Sequence, residues 1–443
     1  MRVETRKAAD GDVRARLDPG LRSAEVRRDG SELRVGPLDL PDHDGLRSAA
    51  ALAARSVRRE GGTIAWSATT AEEVRALVEG TAYGAYDPGL YKQGYDTRPE
   101  LTLALDAPPE LEPLAQRQAV VVCHLDATRN LANRPANDLT PAALADHPLG
   151  LAGDHLSVDA HGRDWIDAQR MGGLAAVSAG SAHEPHLIVM RYDPPAARDG
   201  VTLGLVGKAV TFDSGGISLK KPLRMQDMKG DMSGGAAVIE ATAAIAELGL
   251  PIRVLTVVAA TENVQGNAAY KPGDILRISN GKTIEIINTD AEGRLILADA
   301  LHYARSNGAT HIADLATLTG AMVRALGDLY AGWFCNDETF AAAVERASQR
   351  SGDLAWRFPL HPRYRRYIDS DFADMKNASD LGEGSAILAA ELLREFAGDG
   401  PWAHFDIAPA FIERRRPDYA LDQGGTGYGV RLIVELAEEL LAP

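Results

Sequence analysis

Cysteine is nearly absent from this chain of 443 residues, since Cys123 and Cys335 are its only two. This scarcity excludes a disulfide framework and a metal cage of several cysteines, and it favours a reducing compartment. The 11 histidines form no H-E-x-x-H pattern, so the usual imidazole zinc site is missing as well.

Long apolar runs and an excess of positive charge are also missing. No run reaches the roughly 18 apolar residues that a membrane helix needs, and residues 1–12 lack the apolar stretch of a secretion signal. The 62 acidic and 47 basic residues give a formal net charge of -15. This balance argues against a general surface for nucleic acids or anionic membranes. We therefore expect a cytoplasmic globular protein.

The length and the order of elements predict two domains. Residues 1–110 contain short strand-like runs and a helical stretch that we expect to end at Gly80, which predicts a small N-terminal α/β domain. Helical spacing then predicts a linking helix over residues 111–132, stopped by Pro135. Residues 133–443 are predicted to form a larger C-terminal domain.

Strand-like and helical runs alternate in the C-terminal domain, which predicts an α/β fold with a sheet covered by helices on both faces. Asn280-Gly281 separates two strand-like runs, 275–278 and 283–287, and is a strong hairpin signal. We expect this hairpin to make the sheet mixed rather than purely parallel.

The stretch from Asn288 to Leu295, Asn-Thr-Asp-Ala-Glu-Gly-Arg-Leu, joins a strand-like run to a helical one. If its backbone stays extended, Asp290, Glu292 and Arg294 project to one side and share a small space. Taken alone, such a short pattern is more often a solvated polar turn with Asp290 as a helix cap.

A second polar cluster lies upstream of this stretch. Lys208 and Asp213 follow a strand-like run, where open α/β sheets usually bind ligands, and Gly215 and Gly216 permit tight turns. Each polar residue has an ordinary alternative: Lys208 as a surface lysine, Asp213 as a turn residue, and Asp231 as a helix N-cap.

Taken together, the two clusters place four carboxylates, Asp213, Asp231, Asp290 and Glu292, at the expected strand ends of one sheet. Two like charges about 4 Å apart repel by roughly 4 kcal/mol at an effective dielectric near 20. Four such charges need cations, and we predict two divalent metal ions. Oxygen-rich ligation suits Mg or Mn, and also Zn in a carboxylate-bridged pair.

The series Lys208, Asp213, Lys220 and Asp231, followed by the intact stretch Asn288–Leu295, closely resembles the leucyl aminopeptidase family, also called the cytosol aminopeptidases. The resemblance extends from Asn133 to Leu432, so residues 133–443 are expected to be a catalytic two-metal aminopeptidase domain. Residues 1–110 show no convincing match to the family.

The resemblance implies a role for each matching residue. It implies two divalent ions, Mn or Zn with Mg or Co as alternatives, held by Lys208, Asp213, Asp231, Asp290 and Glu292, with Asp213 and Glu292 bridging both ions. It assigns Lys220 to polarising the scissile carbonyl and Arg294 to holding a bicarbonate that acts as general base. The positions that line the substrate site are Met228, Asn288, Thr317, Leu318 and Gly320.

The function implied is that of a metal-dependent aminopeptidase, which releases apolar N-terminal residues from peptides through a water activated by two metals. The resemblance also implies a homohexamer and peptide substrates with a free N-terminus. Two alternatives stay open: a two-metal hydrolase of another class, such as a phosphoesterase, and a DNA-binding role. The basic run Arg414–Arg416 is interpreted as a solvated turn, which argues against the DNA-binding role.

Three positions depart from the family pattern. Lys221 stands where proline commonly follows the catalytic lysine, so either Lys220 or Lys221 can be proposed, and the seven-residue step from Asp213 selects Lys220. Ser233 occupies a position usually held by a small residue. Pro409 replaces the commoner glycine near the side-chain pocket, which puts a preference for leucine in question.

Overall fold

The structure, a computed structural model, describes residues 1–40, 43–411 and 424–442. These residues divide into two compact units. Within the described ranges, the first unit contains residues 1–130 and 424–426, and the second contains residues 131–411 and 427–442. None of the described helices is both long enough and apolar enough to span a bilayer.

The first unit contains a six-stranded sheet. Its strands are β1 Arg2–Thr5, β2 Val13–Leu17, β3 Val26–Asp29, β4 Glu32–Val35, β5 Gly62–Ser67 and β6 Leu101–Asp106. The order across the sheet is β1-β6-β5-β2-β4-β3, and only the β3–β4 pair is antiparallel among these strands. Helices α1 Asp44–Val57 and α2 Ala71–Ala85 cover it and share its apolar core.

The expectation that Gly80 ends the second helix is wrong, because α2 continues to Ala85. Gly80 instead lets α2 pack closely on α1: a Cβ atom at this position would lie 2.1 Å from the carbonyl oxygen of Arg47. Gly84 has the same role one turn later, 2.1 Å from the carbonyl oxygen of Ala51. Close packing between helices therefore overrides the usual preference of glycine for helix ends.

A long helix follows, α3 Glu112–Asn133, and then α4 Pro141–Leu149. The hydroxyl of Thr140 accepts a hydrogen bond from the backbone N–H of Ala143, so threonine caps α4 and proline occupies its first position. The helix predicted over residues 111–132 is thus observed as α3. Its role as a linker between two domains stays a prediction.

The second unit is built on an eight-stranded sheet with the order β15-β14-β17-β13-β9-β10-β8-β7 and a separate three-stranded sheet with the order β11-β12-β16. The strands are β7 Leu156–His161, β8 His186–Tyr192, β9 Thr202–Asp213, β10 Arg253–Asn263, β11 Ile275–Arg277, β12 Thr283–Glu285, β13 His311–Ala316, β14 Ala331–Cys335, β15 Ala355–Arg357, β16 Met375–Lys376 and β17 Trp402–Asp406.

The predicted hairpin forms, with β11 antiparallel to β12, but it does not join the large sheet as expected. The large sheet is mixed for another reason. Strands β9, β10, β13 and β17 pair parallel at its centre, while β8 and β14 join it antiparallel on either side. The predicted fold class, a mixed sheet flanked by helices beside a smaller α/β domain, is confirmed.

The helices of the second unit flank the large sheet. After α4 they are α5 Arg163–Ala168, α6 Gly172–Ser178, α7 Ser233–Glu247, α8 Gly293–Ser306, α9 Gly320–Leu326, α10 Glu338–Ser351, α11 Ser385–Ala397 and α12 Val430–Glu439. Helices α7 and α8 both contact β9 and β10 at the centre of the sheet. At Gly207 a Cβ atom would lie 2.6 Å from Cα of Gly235, so two glycines let α7 approach β9 closely.

Three element ends matter for the candidate site. Strand β9 ends at Asp213, α7 begins two residues after Asp231, and α8 begins immediately after Glu292. The expectation of four carboxylates at strand ends of a single sheet is therefore only partly right. Asp213 ends a strand of the large sheet, whereas Asp290 and Glu292 follow β12 of the small sheet.

Candidate metal centre

Lys208 is a buried lysine within β9, with only 2% of its side chain exposed. Its Nζ lies 2.9 Å from Oδ2 of Asp231 and 2.8 Å from Oε1 of Glu292, and it donates a hydrogen bond to the carbonyl oxygen of Thr317. A Cβ atom at Gly293 would lie 2.9 Å from Cδ and Cε of this lysine. Glycine at the start of α8 therefore leaves the space that the Lys208 side chain occupies.

Lys220 connects the other two carboxylates. Its Nζ lies 2.7 Å from Oδ2 of Asp213 and 2.6 Å from Oδ1 of Asp290. One carboxylate oxygen from each of Asp213, Asp231 and Glu292 lies within 4.8 Å of the others, and all three residues are buried. The structure thus brings together all four predicted acids and both predicted lysines.

The pKa values in this cluster show that it is short of positive charge. Burial raises the pKa of Asp231 to about 8 and that of Asp290 to about 7, despite the nearby lysines. Burial and the neighbouring Glu292 also raise the pKa of Asp213. Only the Glu292 carboxyl has a lowered pKa, because Lys208 and Lys220 outweigh the effect of its burial. Two ammonium groups face three buried carboxyls and the half-buried carboxyl of Asp290.

This donor set fits a divalent metal ion. Oxygen atoms from several carboxylates, gathered within bonding reach of one another and short of positive charge, are the ligands that Mg, Mn and Zn accept. Added cations would favour the ionised form of each acid with a raised pKa.

Asn263, at the end of β10, holds the two most buried acids in place. Its Nδ2 donates to Oδ1 of Asp213 at 2.8 Å, to the carbonyl oxygen of Thr289 at 3.0 Å and to Oε2 of Glu292 at 3.3 Å. The residue is fully buried. One amide group therefore links the end of β9 to the turn that precedes α8.

Thr289 fixes the loop after β9 to the same turn. Its hydroxyl donates to the carbonyl oxygen of Gly215 at 2.7 Å and accepts from the N–H of Ser218 at 2.8 Å. Gly215 has a φ of +88° and Gly216 of +64°, a region that favours glycine. A Cβ atom at Gly215 would also lie 2.5 Å from the carbonyl oxygen of Ser218. The tight turn predicted here is observed.

Arg294 lies in the first turn of α8, and its backbone is helical rather than extended. Glu292 already has helical dihedral angles, φ −69° and ψ −37°. The expectation that Asp290, Glu292 and Arg294 project to one side along an extended chain is therefore wrong. The Arg294 guanidinium is buried, and its Nη1 donates to the carbonyl oxygen of Asn377 at 2.6 Å. Burial lowers the pKa of Arg294 to about 10.

Asn377 joins the loop before α11 to this turn. Its Oδ1 accepts hydrogen bonds from the N–H groups of Ile287 and Asn288, and its Nδ2 donates to the carbonyl oxygen of Asn288 at 2.6 Å. Because its own carbonyl oxygen accepts from Arg294, one fully buried asparagine orients both ends of the turn.

The predicted substrate-lining residues lie around the acids. The Thr317 hydroxyl donates to Oδ1 of Asp231 at 2.6 Å, and Oδ1 of Asn288 accepts from the N–H of Asp290 at 2.8 Å. The carbonyl oxygen of Met228 accepts from the N–H of Asp231. The remaining two are Leu318, which is half-buried, and Gly320, which is exposed at the start of α9.

Asp406 organises the segment that contains Leu318. Its Oδ1 accepts from the N–H groups of Leu318 and Thr319, and its Oδ2 accepts from the Thr319 hydroxyl at 2.6 Å. Asp406 ends β17, next to the end of β13.

Three of these contributors, Asn263, Asn377 and Asp406, were missed from the sequence. Asn263 and Asp406 each end a central strand of the large sheet, as Asp213 does. The rule that ligands bind at the carboxyl ends of parallel strands could have found both. Asn377 lies in a loop and offered no such signal.

The three departures from the family pattern are accommodated. Lys221 is exposed, whereas Lys220 contacts the acids. The Ser233 hydroxyl donates to the carbonyl oxygen of Gly230 at 2.6 Å, within the turn that opens α7. Pro409 is buried just after β17. The basic run at residues 414–416 lies outside the described residues.

The cluster of acids and lysines at the edge of an α/β sheet is typical of a protein that binds divalent metal ions. A sequence model described as the cytosol aminopeptidase family, catalytic domain, matches residues 126–434. A probable cytosol aminopeptidase of Solibacter usitatus (strain Ellin6076) is 42% identical over 424 residues, covering 95% of this chain and 88% of the relative. A probable cytosol aminopeptidase of Roseiflexus castenholzii (strain DSM 13941 / HLO8) is 43% identical over 418 residues, covering 90% and 85%.

Among solved structures, the bottromycin maturation enzyme BotP in complex with Mn is similar, with a TM-score of 0.88 and 34% sequence identity over 97% of this chain and 99% of that one. A second structure of the same enzyme gives a TM-score of 0.86. The chain belongs to the cytosol aminopeptidase family, whose members are metal-dependent exopeptidases. The resemblance found in the sequence is confirmed.

The hydrogen bonds of Asn263 generate a first prediction. Replacing it in the Asn263→Ala variant removes the amide that orients Asp213 and Glu292, and loss of a residue that orients metal ligands typically costs about 10–100-fold in metal affinity. We expect a loss of this size in Mn²⁺ affinity, measured by calorimetric titration of metal-free protein.

The matched control is Asn307→Ala, because the Asn307 amide bonds only the end of α8 at the surface. This variant should bind Mn²⁺ as the wild type does. Unchanged Mn²⁺ affinity in Asn263→Ala would contradict the role of Asn263.

Proposed function

We propose that this aminopeptidase releases apolar N-terminal residues from peptides at a centre of two divalent ions, Mn or Zn. The proposed ligands are Lys208, Asp213, Asp231, Asp290 and Glu292, with Asp213 and Glu292 shared between the ions. The observation that carries the proposal is the sharing of two lysine ammonium groups among four clustered carboxyls. When bound, the ions would supply Lewis-acid chemistry that activates water as a nucleophile.

Lys208 must lose its proton to act as a ligand. Burial lowers its pKa, but Asp231, Glu292 and Asp213 more than reverse this effect and raise it. A shift from about 10.4 to about 7 would take about 4.6 kcal/mol, at 1.36 kcal/mol per pKa unit. Placing a dication among the same acids supplies such an energy, whereas their carboxylates alone favour the ammonium form.

Lys220 is suited to stabilising negative charge on the substrate. Its side chain is 23% exposed, so it can reach a bound peptide while it contacts Asp213 and Asp290. Burial alone would lower the pKa of Lys220. The opposing effect of Asp213, Glu292 and Asp290 is larger, so the pKa is raised. Lys220 therefore stays cationic at neutral pH. A fixed ammonium group can donate to the oxyanion that develops when the peptide carbonyl is attacked.

Arg294 is suited to holding a small anion such as bicarbonate, the proposed general base. Its guanidinium is buried, its Nη1 donates to the backbone oxygen of Asn377, and its buried Nε has no hydrogen-bond partner in the described part of the chain. A buried cation with an unused N–H group favours an anionic ligand. The four acids are occupied by metal binding in this proposal, so a separate base is needed.

The apolar preference is supported by Met228 and Leu318, two half-buried apolar side chains in the segments that contact Asp231 and Asp406. Pro409 is buried three residues after Asp406, which bonds the Leu318 segment. The homohexamer and the cytoplasmic location implied by the family stay predictions.

A second prediction concerns protons. At pH 6.5 the metal-free centre holds protons on Lys208, whose pKa is raised, on Asp231, whose pKa is about 8, and for the most part on Asp290, whose pKa is about 7. These protons must leave on metal binding. We expect release of about two to three protons with Mn²⁺ at pH 6.5, measured by calorimetry in buffers of different ionisation enthalpy. Affinity should rise with pH from 6 to 8. Binding heats that do not depend on the buffer would exclude Lys208 as a ligand.

A third prediction separates the two adjacent lysines. Lys220→Ala removes the proposed oxyanion donor but no metal ligand, so kcat for leucine p-nitroanilide should fall by about 10²–10³ while the Mn content is kept. Metal content is measured by elemental analysis.

The control is Lys221→Ala, which removes an exposed neighbour of the same charge and should leave kcat within about twofold. Loss of metal in Lys220→Ala would mean that Lys220 is a ligand. Faster turnover of p-nitrophenyl phosphate than of leucine p-nitroanilide by the wild type would favour a phosphoesterase instead.

A further inference from the structure

The first unit contains a cavity of about 560 Å³, a size typical of small-molecule sites. It lies between the end of α1, the segment after α2 and the face of α3, and all of its lining residues belong to that unit. The sequence offered no functional inference for this part of the chain. The residues that line the cavity nevertheless have an unusual charge arrangement.

Every acid that lines the cavity already has a cationic partner. Asp87 pairs with Arg98, and Glu100 pairs with Arg2 at 3.3 Å. The third acid, Asp126, lies 3.4 Å from Nη1 of Arg129. Each described carboxylate of the lining therefore already has one cationic partner.

Three other lining cations, Arg58, Arg59 and Lys92, have no carboxylate partner among the described residues. Arg58 donates to the carbonyl oxygen of Tyr86 at 2.7 Å, which accounts for one of its N–H groups. Burial lowers its pKa, and the neighbouring guanidinium groups, including Arg59, lower it further, opposed only by Asp87. A chain with a net charge of -15 thus places three cations without a described carboxylate partner around one cavity.

The cavity also contains an unused acceptor. Oδ1 of Asn130 is buried and has no hydrogen-bond partner among the described residues. A buried amide oxygen left unpaired is energetically unfavourable. It lies one helical turn from Asp126 on the same face of α3. A ligand that donates an O–H or N–H group at this end would satisfy it.

We propose that this cavity binds a small organic molecule with at least two carboxylate or phosphate groups and a hydroxyl or amine donor. The anionic groups would pair with Arg58, Arg59 and Lys92, and the donor would reach Asn130. Arg58 is half-buried, whereas Arg59 and Lys92 are exposed. Charge-assisted pairs with all three would act together on a ligand that carries several anionic groups. The site belongs to the first unit and is independent of the proposed metal chemistry.

The test is calorimetric titration of the full chain with citrate and, separately, with tripolyphosphate, in buffer without added Mn²⁺ because both probes chelate this ion. Citrate carries carboxylates and a hydroxyl, and tripolyphosphate carries phosphates alone. Comparing the two shows whether the cavity prefers carboxylate or phosphate groups. Sodium sulfate at equal ionic strength controls for screening. We expect saturable binding of at least one of the two probes.

The decisive variant is Arg59→Gln with Lys92→Gln, which removes two positive charges, keeps polar side chains and leaves the Arg58 bond to Tyr86 in place. It should bind at least about tenfold more weakly. Lys7→Gln with Arg14→Gln changes two exposed cations outside the cavity and should bind as the wild type does. Absence of saturable binding with both probes, or equal binding by the cavity variant and the wild type, would overturn the proposal.

Discussion

The structure of the second unit depends on one electrostatic constraint: four carboxyl groups and two lysines share a space from which water is largely excluded. Lys208 joins Asp231 to Glu292, and Lys220 joins Asp213 to Asp290. Buried like charges tolerate such proximity only when cations lie between them. Because two ammonium groups face four carboxyls, the lysines supply only part of the positive charge that would neutralise the cluster. The remaining demand is what makes this cluster a metal centre in our account.

Holding these side chains in place uses both sheets of the second unit. Asp213 and Asn263 end neighbouring strands of the large sheet, while Asp290 and Glu292 lie in the turn after the small sheet. Asn263 and Asn377 bond that turn from two sides, so its position does not depend on the acids alone. Neutral amides suit this task, because they orient carboxylates and backbone groups without changing the charge of the cluster.

Much of this arrangement could be predicted from the sequence, for identifiable reasons. The acids and lysines of the site all lie in two stretches, Asn288–Leu295 and Lys208–Asp231. Their residue types are sufficient to predict a cluster of opposite charges. The N-cap at Thr140 and the Asn280-Gly281 hairpin depend on local backbone chemistry, and both are observed. The fold class followed from alternating periodicity. Local rules were sufficient wherever neighbours in the chain determine the conformation.

The incorrect predictions concern positions whose conformation or pairing depends on residues distant in the sequence. The hairpin pairs with β16, almost a hundred residues away, rather than with the large sheet. Gly80 continues a helix because α1 lies against it. The turn at Glu292 is helical and not extended, since the start of α8 reaches back to it. Asn377 acts across a gap of about ninety residues, and no periodicity or spacing rule links such positions.

The central claim is that this cluster of acids and lysines holds a pair of metal ions. Crystals grown with excess Mn²⁺ and measured at the manganese absorption edge test it most directly. We predict two anomalous peaks within bonding distance of Lys208, Asp213, Asp231, Asp290 and Glu292. A map without a peak among these side chains, or with a single ion that leaves Lys208 paired to carboxylates, would contradict the account.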